Sequence, residues 1–319
     1  MRRGDTKKTD AILLLAKAAL ADRRRRSPAT ILVTLALLLI FLTALAWWFW
    51  PRPELPPILL AAYDQVALPE EPVPLVACVE PRDSDRGDVS LAGCDLYFQE
   101  VKSSQLLGKV VTQSDGSATL EKGFPASDLP AEIMVRYPGQ QARRRGLADK
   151  ARVFIWPTDS PLLLVDADHA LAELAEDKLW TANNLDIRPR PGAAATLRKL
   201  RAKYHIIYLA AAADRPSRYG KLRAWLERGA PAQEQFPDGP VIAPLSRAPD
   251  SDPATFERTI SAEFKGRFRG PIAAITNRTQ SAQLFHESGM QTFQLGEAAE
   301  VEGIVVLKTW SDLAGHLLK

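Results

Sequence analysis

The sequence predicts three parts: one N-terminal transmembrane helix, an all-β sandwich, and an α/β domain with a mainly parallel sheet covered by helices on both faces. Three observations carry this. Residues 29–50 contain no charged residue. Residues 75–156 hold six short β-rich segments separated by turn residues. From Pro157 onward, apolar runs alternate with helical patterns, the order that specifies a parallel sheet.

At about 1.5 Å per residue, a helix over residues 29–50 reaches about 33 Å, enough to span a bilayer. Trp47, Trp48 and Trp50 stand at its far end, where indole rings favour the headgroup zone. The run Arg23–Arg26 flanks the near end, with only Arg52 close on the other side. The positive-inside rule then places the basic tail 1–28 in the cytoplasm and residues 51–319 outside, in the periplasm if the cell is a Gram-negative bacterium. Ala44-Leu-Ala46 resembles a signal-peptide cleavage site, but the long leading region and full-length span favour an uncleaved anchor. Asp10–Leu20 is apolar nearly all round and too short to span; it reads as part of a tail that sets topology.

The tail holds nine basic and three acidic residues, so a chain of net charge +3 leaves −3 for everything after residue 28. The basic balance therefore belongs to the anchor and is no sign of nucleic-acid binding. Seven prolines in residues 51–74 suggest a stiff spacer off the membrane, since proline donates no ladder hydrogen bond. In residues 75–156, Asp85-Arg-Gly-Asp88, Asp115-Gly116 and Pro138-Gly139 punctuate the β segments of a sandwich of immunoglobulin-like size. Asp115-Gly116 is the clearest hairpin signal. Cys78 and Cys94, the only cysteines, are compatible with one disulfide in an extracytoplasmic domain or with two buried thiols. Arg143-Arg-Arg145 reads as a solvated loop.

The α/β domain, 157–319, is organised around Ser160-Pro-Leu-Leu-Leu-Val-Asp-Ala-Asp-His169. An apolar run without polar alternation reads as a strand buried on both faces, and it ends on Asp166 and Asp168. In open α/β sheets, ligands bind at the carboxyl ends of the strands. There, an Asp-x-Asp can supply one carboxylate as nucleophile and a second as proton donor and acceptor. A less regular helical stretch, Leu171–Trp180, follows. Then come a helix from Pro191 to Arg201, a strand at His205–Ala210 and a helix at Arg215–Arg228. A strand at Val241–Ala243, a helix at Asp252–Lys265, a strand at Pro271–Thr276 and a helix at Thr279–Glu287 continue the alternation. Strands at Gln291–Leu295 and Gly303–Leu307 and a terminal helix complete it.

A strand ending in Asp-x-Asp within such a unit resembles the haloacid dehalogenase-like (HAD) phosphohydrolases, whose sheet is Rossmannoid. Residues 160–310 are similar to the lipin-type and bacterial phosphatidate phosphatase domain. Beyond the first motif, the similarity rests on Arg188-Pro-Arg-Pro-Gly192, Tyr208-Leu209, Leu222-Arg-Ala-Trp-Leu-Glu227, Phe236-Pro-Asp-Gly-Pro240 and Asn277-Arg278 with Ser288-Gly289. The resemblance implies Asp166 as nucleophile and Mg²⁺ ligand, and Asp168 as acid/base whose carbonyl helps hold the metal. It further implies a hydroxyl after the second strand and a downstream cation for the phosphoryl oxygens, with acids after the final motif strand to complete the metal shell. A carboxylate attacking a phosphoryl group needs its repulsion cancelled by such cations and donors.

Several of these parts are replaced. The hydroxyl position falls on Ala210, within Leu209-Ala-Ala-Ala-Ala213, and the acids fall on Asn277 and Ser281. Arg258 or Lys265 stands nearest to the required cation, and His169-Ala170 follows the second Asp. The sequence therefore points to a membrane-anchored, catalytically degenerate phosphatase-like protein that binds or scaffolds. The alternative is a Mg²⁺-dependent phosphohydrolase acting on phosphatidate or another lipid phosphate through Asp166. The expected metal set is Asp166, Asp168 and Asn277, with weak Mg²⁺ binding, because an amide oxygen replaces a carboxylate. Expected partners are the membrane, through residues 29–50, and a lipid phosphate or an envelope protein. A third reading gives the sandwich the main role, as an adhesion or envelope-assembly module.

Overall fold

A computed structural model describes residues 28–49, 58–82, 91–127, 129–139, 146–228, 234–244, 252–296 and 301–319. The tail 1–27, the Asp85-Arg-Gly-Asp88 turn and the Arg143-Arg-Arg145 loop lie outside the described residues. The chain divides into two units, 1–54 and 55–319. In the first, α1 (Pro28–Phe49) is a 22-residue helix without a charged residue. Counted over the described residues alone, no helix is long and apolar enough to cross a membrane. Several side chains of α1 lie outside that set.

In the second unit, β1 (Ile58–Ala62), β3 (Pro72–Pro81) and β6 (Ser117–Gly123) form an antiparallel sheet in the order β1-β3-β6. Against it lies a five-stranded sheet in the order β2-β8-β7-β4-β5. Its strands are β2 (Gln65–Ala67), β4 (Asp95–Glu100), β5 (Leu106–Val111), β7 (Ala131–Tyr137) and β8 (Leu147–Ile155). The two sheets share a core of Leu75, Ala77 and Val79 against Leu96, Phe98, Val135 and Val153.

Two expectations are corrected in this region. Residues 58–74 are not a spacer, because β1, β2 and the start of β3 fall within them. Pro72 and Pro74 are tolerated because β1 pairs only with residues 77–81 of β3, which leaves the stretch around the prolines as an edge on that side. Asp115-Gly116 does make a tight turn, with the Gly116 amide donating to Gln113 O and Gly116 at φ +84°. It joins β5 to β6 across two sheets, however, and is not the turn of a hairpin.

Cys78 and Cys94 are both buried thiols. Successive strand residues face opposite ways, so Cys78 lies on the face of β3 away from Ala77 and Val79. It packs with Ala61 and Tyr63, whereas Cys94 packs in the core between the sheets. The proposed disulfide is thus not formed here.

The third sheet has six strands, all parallel, in the order β11-β10-β9-β12-β13-β14. They are β9 (Leu162–Asp166), β10 (His205–Leu209), β11 (Val241–Ile242), β12 (Ile272–Thr276), β13 (Gln291–Leu295) and β14 (Ile304–Leu307). β9 is buried throughout, as its unbroken apolar run requires. Leu163 and Val165 face the layer of α3 (Ala193–Leu200), α4 (Pro216–Arg228) and α7 (Trp310–Leu317). Leu162 and Leu164 face α5 (Pro253–Arg267) and α6 (Thr279–Glu287). The stretch after Asp168 is less helical than expected: only the four residues of α2 (Glu176–Leu179) and a short 3₁₀ turn at Asn184–Asp186 form. The loop is drawn instead into a bridge between Ala172 and Pro189.

The sandwich and the parallel sheet do not behave as independent domains. Tyr63 and Cys78 share a core with Tyr219 of α4 and with Val165. A polar seam runs beside it. Asp64, wholly buried at its side chain, accepts from Arg152 Nη2 at 2.8 Å and from the Val241 amide at 3.2 Å, while its own amide donates to the Tyr219 hydroxyl at 2.9 Å. Burial opposes the Arg152 charge, yet Asp64, Asp238 and Glu227 hold its guanidinium above the ordinary range.

Candidate functional site

The strand order places β9 beside both β10 and β12, so the direction of winding reverses between β9 and β12. That is the switch point where a crevice opens at the carboxyl ends of strands. Asp166 closes β9 at this point and Thr276 closes β12.

Asp166 is 3% exposed and Asp168 fully buried. Asp166 Oδ2 accepts from the Thr276 hydroxyl at 2.6 Å. Its Oδ1 accepts from the His169 amide at 3.2 Å and lies 3.0 Å from His169 Nδ1. Asp168 turns toward the loop after β10, where its Oδ2 accepts from the Ala212 amide at 2.7 Å. One ligand atom from each of Asp166, Asp168 and His169 lies within 4.8 Å of the others.

The loop is held from outside. The Ala170 amide returns to Asp166 O at 3.0 Å, Trp310 Nε1 donates to Ala170 O at 3.0 Å, and Arg190 Nη2 donates to His169 O at 3.3 Å. The Arg188-Pro-Arg-Pro-Gly192 segment thereby positions His169.

The two acids meet at the switch point, and Asn277 directly follows Thr276, whose hydroxyl is bonded to Asp166. Among the described residues, the buried Asn277 Oδ1 atom has no hydrogen-bond partner. After β10, Leu209-Ala-Ala-Ala-Ala213 presents methyl groups and the Ala212 amide, the latter taken by Asp168. Neither candidate cation of α5 turns inward: Arg258 is exposed, and the exposed Lys265 donates to Gly289 O at 3.2 Å.

The residue of α5 that faces the acids is Glu257, 2% exposed, with Oε1 accepting from the Ser281 hydroxyl at 2.8 Å. Among the described residues, its buried Oε2 has no hydrogen-bond partner. Burial raises its pKa and the nearby Asp166 charge adds to this, opposed by the Ser281 bond, Arg278 and His169. Sequence reasoning missed Glu257. The available signal was an acid on the buried stripe Ala254, Glu257, Ile260 and Phe264, at helical spacing. Thr276 was missed for a simpler reason: it read as the last residue of a strand.

The resemblance implies Mg²⁺ here. Among the described residues, the ligand atoms that converge are those of Asp166, Asp168 and His169, and carboxylate oxygens are the donors that suit a hard divalent cation. When bound, such an ion supplies charge cancellation among the carboxylates.

A concavity lies at the opposite, amino edge of the sheet. It measures about 440 Å³ and is lined by Trp156, Arg201, Tyr204 and His205. The Trp156 and His205 rings stack at 4.4 Å and 16°.

No protein-family model matches the chain, and no curated protein matches it. Among solved structures, the N-terminal Ig1-2 module of Drosophila Receptor Protein Tyrosine Phosphatase DLAR aligns at 10% identity and TM-score 0.23, over 35% of this chain and 62% of that one. Chitinase ChiW from Paenibacillus aligns at 8% identity and TM-score 0.22, over 83% and 30%. A β-glucuronidase from Ruminococcus gnavus aligns at 8% and 0.25, over 75% and 43%. Likeness at this level carries no argument about fold or function. What the geometry defines is a mixed α/β protein with an acidic cluster at the switch point of a parallel sheet.

Proposed function

We propose that this chain is a membrane-anchored, extracytoplasmic protein whose HAD phosphatase-like site no longer transfers phosphoryl groups and serves in binding. The observation that carries this reading is the reversal of charge around Asp166. An incoming phosphoryl group would meet Asp166, Asp168 and Glu257, with alanines in place of the hydroxyl and no inward-facing cation from α5. Both Asp166 oxygens are also committed to Thr276 and His169. Repulsion between an anionic nucleophile and an anionic substrate is the barrier such sites must remove, and here the surroundings add to it. The uncharged helix α1, with Arg23–Arg26 before it, supports the anchor and its orientation.

The reading fits a role at the bilayer surface, with a lipid phosphate or an envelope protein as partner. The competing reading, Mg²⁺-dependent hydrolysis of phosphatidate through a phosphorylated Asp166, draws on the retained acid pair and on Arg190 and Arg278 nearby. One assay separates them. Full-length protein in detergent micelles is incubated with Mg²⁺ and either an aryl phosphate or phosphatidate, and released phosphate is measured. No turnover above an Asp166→Asn control is expected. Turnover that vanishes in Asp166→Asn overturns the proposal.

A further inference from the structure

We propose that the cavity at the amino edge of the parallel sheet binds a small organic carboxylate, with Arg201 gripping the charge and the sandwich supplying an apolar wall. This site lies apart from the acids at the carboxyl edge, and its occupancy is independent of phosphoryl transfer.

The cavity forms where β8 leaves the sandwich and the chain runs through Trp156 and Pro157 toward β9. Its apolar wall includes Ile155, Trp156 and Ile206, together with Leu129, which is 75% exposed. The volume of about 440 Å³ falls within the range of about 300–1,000 Å³ usual for small-ligand sites, which favour domain junctions. The Trp156 amide donates to Ala67 O at 3.0 Å while its ring stacks on His205, so this wall is fixed from both domains.

The polar lining comes from the turn after α3, which carries Arg201, Tyr204 and His205, and from Ser160 ahead of β9. The Arg201 and Tyr204 amides donate to Leu197 O and Leu200 O, both at 2.9 Å, and Lys203 Nζ donates to Leu317 O at 2.7 Å. The turn is thus held in place before any ligand arrives, which lowers the cost of binding. Ser160 and Tyr204 are each 5% exposed, yet neither hydroxyl has a hydrogen-bond partner among the described residues. Buried polar groups are normally hydrogen-bonded, so two such hydroxyls on one cavity point to a polar occupant. Burial raises the pKa of Tyr204 and lowers that of His205, which keeps both uncharged at neutral pH.

Charge then decides the ligand class. Arg201 is exposed, and its guanidinium makes no hydrogen bond or ion pair among the described residues. Asp238 also lines the cavity, but its carboxylate is already bonded to Arg152 Nη1. One unpaired guanidinium among neutral donors matches a single negative charge, and its planar fork takes a carboxylate through two parallel hydrogen bonds. A doubly charged phosphate would meet the same single cation with the Asp238 charge nearby. The apolar wall suits a ligand body without charge.

The probe is para-fluorobenzoate, followed by fluorine NMR on full-length protein in detergent micelles, with protein-free micelles as the blank. Saturable binding is expected, and the uncharged para-fluorobenzamide should bind about tenfold more weakly or worse. Arg201→Gln, a change at an exposed position, should weaken para-fluorobenzoate by about tenfold or more, since charge-assisted hydrogen bonds are the strong ones. Arg201→Lys should recover only part of this, because it keeps the charge without the fork. Tyr204→Phe should weaken binding severalfold yet melt no lower than the wild type, because the hydroxyl it removes bonds no protein group. Asp166→Asn should leave binding unchanged. Absence of binding to folded wild-type protein overturns the proposal, as does binding unaffected by Arg201→Gln. Tighter binding of para-fluorophenyl phosphate, itself lost in Arg201→Gln, overturns the assignment to a carboxylate.

Discussion

The Thr276 hydroxyl donates to Asp166 Oδ2 at 2.6 Å while Thr276 Oγ1 itself accepts from the Arg278 amide at 3.0 Å. One fully buried side chain thus joins the carboxyl ends of two neighbouring strands and starts the turn into α6. Thr276→Val keeps the shape and removes the donor from a buried carboxylate. It should cost about 1–3 kcal/mol in urea unfolding, the penalty for an unsatisfied buried group. Thr276→Ser should recover most of it; equal loss in both variants would mean that packing of the methyl group, not the hydrogen bond, sets the cost.

Arg152 is the cation of the seam between sandwich and parallel sheet, with Asp64 wholly buried against it. Truncating one partner of a buried pair leaves the other charge uncompensated, so Arg152→Met should destabilise by about 3–5 kcal/mol. Adding Asp64→Asn removes that stranded charge, and the double variant should regain part of the loss. A double variant no better than the single would count against this account of the seam.

His205 stacks on Trp156, and burial lowers its pKa below the ordinary 6.5. The folded state therefore keeps the ring neutral where the unfolded chain already takes up a proton. Stability from this residue is fully present above pH 6.5 and is lost as pH falls from there toward the lower folded value. His205→Gln should flatten this part of the decline in melting temperature between about pH 7.5 and about pH 5.5. An unchanged slope would show that other groups carry it.

Because Cys78 and Cys94 occupy different cores, both should react as thiols once the protein is denatured, with or without reductant. Two equivalents without reductant are expected; none without reductant but two with it would establish a disulfide and contradict the packing.

Much of the α/β unit was legible residue by residue. β13 at Gln291–Leu295 and α6 at Thr279–Glu287 lie where periodicity puts them. The Asp166–Asp168 pair was visible because an apolar run that stops on acids has few other readings. The first strands were hidden because Pro56, Pro57, Pro69, Pro72 and Pro74 read locally as a spacer. Only the pairing pattern reveals that the prolines within β3 stand where no neighbouring strand needs their amides.

Local chain chemistry was enough to place an uncharged helix, a β-rich segment and an alternating α/β segment in order, because each depends on the spacing of apolar residues along one stretch. It was also enough to mark the end of β9 as a candidate site. The surroundings of that site were decided in three dimensions. Glu257 reaches it from α5, Thr276 from β12 and Ala212 from the loop after β10, across separations that no periodicity records. Whether two acids at a strand end favour a phosphoryl group or a cation depends on those distant neighbours, because charge acts through space and not along the chain.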